Sequence, residues 1–213
     1  MKKWKTFLLA LSLAITLFLS FSTLAQAGTH LHPPFSCSAV CVPVSPFVRE
    51  EHLPENQLLV FPELQDGDIL LTDCAHTFGW RHGHAALVVD GANQHVLEAI
   101  TLGACSSVRS VAYWKQYPKV TVLRLKGANP SLRHAIATQA VEVLSGIPYH
   151  LTSGLWGKKY PDSPTGSQCA YLIWYAYRQF GYDLDSDGGR LVTVNDLLCS
   201  SELETVAVLT GSP

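Results

Sequence analysis

Charge is scarce in this 213-residue chain, with Asp, Glu, Lys and Arg together at 15%. No block of like charges occurs, which excludes an acidic or basic disordered tail. There is no basic surplus either: 15 Lys and Arg stand against 17 Asp and Glu, a formal charge of -2. The electrostatic footprint of a nucleic-acid binder is therefore missing, and no nucleic-acid partner is expected. No internal repeat is visible, which excludes a solenoid or propeller. Beyond residue 24 no uncharged apolar run approaches 18 residues, so no membrane-spanning helix is expected in the body of the protein.

What is present begins at the N-terminus. Lys2, Lys3 and Lys5 precede an uncharged run from Thr6 to Leu24, followed by Ala25-Gln26-Ala27. A basic start, an apolar middle and a small-x-small end describe a secretory signal peptide over residues 1–27, with cleavage after Ala27. The expected location is secreted or periplasmic, with no stable membrane insertion after cleavage. Removing the signal leaves 186 residues; 12 basic residues then face 17 acidic ones, a charge of -5. Residues 28–62 hold six of the twelve prolines and read as an extended arm. Residues 63–213 are long enough for one domain with its own core.

All six cysteines (Cys37, Cys41, Cys74, Cys105, Cys169 and Cys199) lie in the exported part. An even count outside the cytoplasm suggests three disulfides, and six cysteines permit 15 complete pairings. If one of them is a free nucleophile, at least one more must lack an intramolecular partner.

Ile69 to Thr72 reads as a short strand after the turn Asp66-Gly67-Asp68, and Asp73 to Gly83 as a loop. His84 to Val89, the turn Asp90 to Asn93 and Gln94 to Thr101 predict a β-hairpin. Lys119 to Lys126 alternates as a strand. Asn129-Pro130 opens a helix running to Gly146. A second helix spans about Gln168 to Phe180, with Ser167 as its N-cap and an apolar stripe of Cys169, Leu172, Ile173, Ala176 and Phe180. Thr193 to Cys199 predicts a short helix and Glu204 to Leu209 a last strand. Strands and helices are segregated, so the class is α+β.

Cys169 falls in the first turn of a helix, where exposed N–H groups and the positive dipole end favour the thiolate. A nearby imidazole and a third polar residue to orient it would complete a nucleophilic site. His84 and Glu98 lie on the two strands of the hairpin. In an antiparallel pair, opposed residue numbers have a constant sum. A sum of 184 sets Ala86 opposite Glu98 and His84 diagonal to it. A two-residue loop gives 183 and sends Glu98 to the other face. The three residues can meet only across an odd-length loop or a bulge. His95 is the rival for the third position, with the opposite parity.

Two metal readings are weaker. Cys74, His76, His82 and His84 form C-x-H and H-x-H pairs, but His84 is better used as a base. Asp183 to Gly188 reads D-x-D-x-D-G like a calcium loop, yet its twelfth position is Val194 rather than Glu. Solvated turn carboxylates suffice, and no metal or cofactor is expected.

The run Gln168-Cys169-Ala170-Tyr171-Leu172-Ile173-Trp174-Tyr175-Ala176-Tyr177, followed by Gly181, resembles the nucleophile helix of NlpC-type papain-like cysteine peptidases. His84-Ala85-Ala86-Leu87-Val88-Val89, continuing to Leu97-Glu98-Ala99, resembles that family's histidine strand and the strand after it. The order His84, Glu98, Cys169 is similar to the circularly permuted, YiiX-like branch. Gly67-Asp68-Ile69 and Gly146-Ile147-Pro148-Tyr149 are similar to that branch's opening motif and its G-x-P-Y element, and Asp183 to Leu197 to the segment after the helix. The resemblance covers about residues 66–198. Gln168, Ala170 and Tyr171 depart from the family's usual neighbours of the cysteine. The resemblance implies a papain-like fold, a small antiparallel sheet packed on the Cys169 helix, in permuted order. It also implies a cysteine peptidase or amidase acting on a peptide or cell-wall fragment through Cys169, His84 and Glu98. Tyr149 and Tyr171 are expected on the substrate side. Distant permuted relatives similar to lecithin:retinol acyltransferase use the same constellation on lipid esters, so a lipid acyl hydrolase or transferase is the enzymatic alternative. A non-enzymatic, disulfide-bonded exported domain is the other.

Overall fold

The computed structural model describes residues 48–77 and 80–211. The signal peptide read over residues 1–27 and the start of the proline-rich arm lie outside the described residues. Within them, nine strands and three α-helices appear, in mixed α+β order. Six strands form one antiparallel sheet in the order β7-β6-β5-β2-β8-β9. They are β2 (Ile69–Thr72), β5 (His84–Asp90), β6 (His95–Glu98), β7 (Ser107–Ser110), β8 (Lys119–Leu125) and β9 (Leu203–Thr210). The helices are α1 (Pro130–Leu144), α2 (Cys169–Arg178) and α3 (Val194–Cys199).

Alternation along the central strands divides the interior into two layers. Ile69, Leu71, Ala85, Leu87 and Leu97 join a core with α1 and α2. Leu70, Ala86, Val88, Val96, Val120 and Val122 face the opposite way, onto Leu53, Leu59, Leu64, Val111, Trp114 and Tyr117. Both faces are therefore covered, which is why β2 is buried at every residue and reads as a continuous apolar run.

The loop read over Asp73 to Gly83 contains two short strands. β3 (Ala75–Thr77) pairs with β1 (Val48–Glu50) on one side and β4 (Trp80–Arg81) on the other. Such two- and three-residue strands are too short to show a period in sequence. β7 and the 3-10 turn Val111–Gln116 were likewise not legible. Every residue of β7 is exposed, so no apolar alternation marks it.

The helices form where their caps are. Asn129 accepts from the Leu132 N–H at 2.8 Å and opens α1, with Pro130 in its first turn. Thr193 and Asp196 close a reciprocal capping box on α3. α2 departs from expectation at its start: the cap is Gln168, whose Oε1 accepts from the Ala170 N–H at 2.9 Å, not Ser167. The expected one-sided stripe on α2 is also too narrow, because every residue from Cys169 to Tyr177 is buried. The second face is roofed by the segment before it. Tyr171 donates to the Lys159 carbonyl at 2.8 Å, Tyr175 to that of Pro161 at 2.8 Å, and Tyr160 packs on Trp174 and Tyr175. No helix among the described residues is long and apolar enough to cross a membrane.

Candidate active site

The β5–β6 hairpin brings His84 and Glu98 together. Leu87 opposes Leu97 and Val88 opposes Val96, both pairs summing to 184, whereas Asp90 opposes His95. The one-residue shift lies at a bulge between Val88 and Asp90. A bulge inserts one extra residue and thereby resets which side chains share a face. The turn itself has four residues, and Gln94 takes a left-handed φ of 56° to close it. Glu98 thus shares a face with His84, and its Oε2 lies 2.8 Å from His84 Nε2. Both side chains are buried, at 6% and 3% exposure.

His95 is excluded as the group orienting His84. It pairs with Asp90 at the far end of β5, six residues from His84, or roughly 20 Å along an extended strand.

With Nε2 engaged by Glu98, Nδ1 is the ring nitrogen left for a second partner. Cys169 supplies it. Burial alone would lower the His84 pKa, but the side-chain interaction with Cys169, then that with Glu98, outweigh it and push it up to about 10. Cys169 stands at the first position of α2, buried, with a free thiol whose Sγ lies 3.6 Å from Gln168 Oε1. Gln168 is itself anchored, its Nε2 donating to the Val192 carbonyl. The residue before the cysteine therefore caps the helix and fixes the sulfur's neighbourhood at once.

Trp114 completes the group, and nothing in its local sequence marked it. Its indole stacks on the His84 ring, centroids 5.3 Å apart and planes at 19°. Its Nε1–H donates to Glu98 Oε2 at 3.2 Å. Arg109 approaches the other oxygen, Nε to Oε1 at 3.7 Å. Glu98 is thereby held by an imidazole, an indole and a guanidinium, all from elements remote in sequence from α2.

Tyr149 is delivered by the Gly146 to Tyr149 segment. Its N–H donates to the Ala104 carbonyl at 2.9 Å, and Ser167 N–H donates to the Pro148 carbonyl at 3.0 Å. This clamps the segment beside the start of α2. Burial, and after it the Cys169 charge, push the Tyr149 hydroxyl pKa up. Gly166 makes room for the next ring along, since a Cβ there would lie 2.1 Å from His150 Nδ1. Tyr171 lies deeper, its hydroxyl pKa pushed up to about 12 by burial, then Tyr175 and Tyr160. It forms the floor of a cavity of about 400 Å³ walled by His150, Gly154, Trp156, Lys158 and Gly166. Trp156, at 78% exposure, stands at that cavity's rim.

Cys74 and Cys199 are free thiols as well, and Cys105 is disulfide-bonded. The even-parity scaffold of three disulfides is thus corrected, because three of the six cysteines carry thiols. Burial pushes the Cys74 thiol pKa up, which makes it a poor nucleophile. Gly67-Asp68-Ile69 has a structural role: the buried Asp68 takes a two-pronged contact from Arg124, at 2.6 and 2.8 Å. The described residues that group as a metal site are Asp185, Asp187 and Asp196, with carboxylate oxygens within 4.8 Å of one another.

No family model matches the sequence. No curated protein matches it either. Among solved structures, the crystal structure of the metalloprotein YiiX from Escherichia coli O157:H7 is similar in fold. It has a TM-score of 0.50 and 16% sequence identity, over 68% of this chain and 97% of that one. At that identity the likeness is one of fold: the chain is a mixed α+β protein with a YiiX-like arrangement around its six-stranded antiparallel sheet.

Proposed function

We propose that the protein is an exported cysteine hydrolase that cleaves an amide bond in cell-wall peptides, with Cys169 as nucleophile, His84 as general base and acid, and Glu98 as the group that orients His84. The observation that carries this reading is His84 itself, a buried imidazole hydrogen-bonded to Glu98 at 2.8 Å and raised to about 10 by Cys169 and Glu98 together. A histidine that stays protonated beside a helix-start sulfur is the arrangement of a thiolate–imidazolium pair. Cys169 Sγ attacks the carbonyl carbon, and His84 passes its proton to the departing amine. A water, deprotonated by His84, then releases the acid from the thioester and restores the thiolate–imidazolium pair. The Cys169 backbone N–H, in the first turn of α2, faces the developing oxyanion. The substrate class comes from the resemblance to NlpC-type peptidases, and the signal peptide read over residues 1–27 supplies the exported setting.

The test compares the purified protein with Cys169→Ala on peptide-bearing wall fragments and on lipid esters. The expected result is amine release from wall fragments by the native chain, reduced by about 10³-fold or more in the variant. Equal rates for the two proteins would overturn the mechanism. Turnover of lipid esters alone would keep the nucleophile and replace the substrate class.

A further inference from the structure

The loop after α2 and the first turn of α3 hold a group of carboxylates that the proposed hydrolysis does not use. Asp185, Asp187 and Asp196 each offer an oxygen within 4.8 Å of the others. The middle of the D-x-D-x-D-G run is not solvated as its sequence suggested: the Asp185 side chain is 2% exposed. Lys159 Nζ takes Asp185 Oδ2 and also donates to the Gly189 carbonyl. Asp185 Oδ1 is buried and has no hydrogen-bond partner among the described residues. A buried carboxylate oxygen without a donor costs free energy unless a ligand meets it. Here one oxygen is taken by the lysine and the other is left to such a ligand.

The remaining partners are oriented but not used up. Asp196 Oδ1 accepts from Ser186 Oγ at 3.0 Å, and Oδ2 from the Thr193 N–H and hydroxyl at 2.8 and 2.6 Å. Asp187 Oδ1 accepts from the Gly189 N–H at 2.7 Å and faces solvent. Each carboxylate has about four acceptor positions, so all three retain capacity for a cation. Three carboxylates against one lysine leave a local charge of -2, which a divalent ion balances. Metal–oxygen distances of about 2.3–2.6 Å for calcium put opposed ligands at most about 4.6–5.2 Å apart, matching the observed spread, and calcium tolerates irregular loop ligands better than magnesium does.

We infer that Asp185, Asp187 and Asp196 form a calcium site. It replaces the missing acidic residue at loop position 12, Val194, with a carboxylate two residues later, in the first turn of α3. The ion would pin the 183–190 loop to α3. The lysine beside Asp185 keeps the affinity modest, with a Kd on the order of 10⁻⁴ M.

Isothermal titration of the full chain with CaCl₂ and with MgCl₂, paired with thermal melting, tests this. One saturable calcium site, weaker or absent magnesium binding, and a rise in Tm with calcium are expected. Asp187→Asn keeps the Gly189 hydrogen bond, so its metal-free Tm should match the native protein while calcium binding weakens by at least about tenfold. Absence of saturable calcium binding, magnesium binding as tight as calcium, or unchanged calcium affinity in Asp187→Asn would each overturn the inference. Because the readouts are heat and Tm, they are independent of whether Cys169 is a nucleophile.

Discussion

His84 is the residue on which the chemistry turns, and its two neighbours act on it in the same direction. Its folded-state pKa of about 10 lies above the ordinary 6.5, so protonation favours the folded form. That contribution to stability is complete below pH ~6.5 and is lost as the pH rises toward about 10. In a pH series of NMR spectra, the His84 ring of the native protein should remain imidazolium at pH 8. In Cys169→Ala the strongest raising interaction is removed, and the ring should titrate at lower pH. A native His84 that is neutral at pH 8 would contradict the thiolate–imidazolium pairing. Neither residue announces this alone. A strand histidine and a helix-start cysteine are common, and only their meeting at one ring makes them a pair.

At the scale of elements, the site is assembled from a bulged hairpin, a 3-10 turn and a helix start. The hairpin's parity was legible, including the need for a bulge if His84 and Glu98 were to share a face. Where the bulge would fall was not, because it depends on how β5 pairs with β2 on its other edge. The 3-10 turn Val111–Gln116 was missed altogether, and with it Trp114. Six residues of 3-10 helix have no amphipathic period to read. Trp114 is a positioning residue that acts through Glu98 and the His84 ring, and Trp114→Phe separates its two contacts. The phenyl ring retains the stack and loses the Nε1–H donated to Glu98. A hydrogen bond to a charged group contributes about 1.5–3 kcal/mol, so kcat should fall at least about tenfold with KM nearly unchanged. The alkaline limb of the pH–rate profile should move as well, which simple loosening of the core would not cause. An unaltered pH profile would reduce Trp114 to packing.

Across the whole molecule, stability rests on a sheet covered on both faces, with a buried carboxylate, Asp68, paired to Arg124 beside the central strand β2. Asp68 is fully buried beside the half-buried Arg124, which spans from β8 to reach both its oxygens. Breaking a buried pair from one side strands a charge, at a cost of about 3–5 kcal/mol. Arg124→Ala should therefore lower the unfolding free energy measured by urea titration by an amount near the lower end of that range, since the guanidinium is partly solvated. Pairing it with Asp68→Asn should recover much of the loss. An Arg124→Ala protein as stable as the native one would show that Asp68 is satisfied by its other contacts.

The sequence by itself determined what local forces encode. Turn signals and β-rich runs marked β2, β5 and β9, alternation marked β8, the Asn129 cap with Pro130 marked α1, and an apolar stripe marked α2. It also supplied the types of residue a nucleophilic site requires, in an order that resembles a known permuted family. Only the tertiary structure decided which of them meet. Glu98 rather than His95 faces His84 because one bulged residue resets the parity of a strand. Gln168 rather than Ser167 caps α2 because its side chain is pinned from Val192, 24 residues away. Trp114 reaches the site because a chain turn folds back over the sheet. Caps and periods are short-range and survive in any context. Juxtapositions depend on pairings between distant segments, whose free energies are settled only when the whole sheet closes.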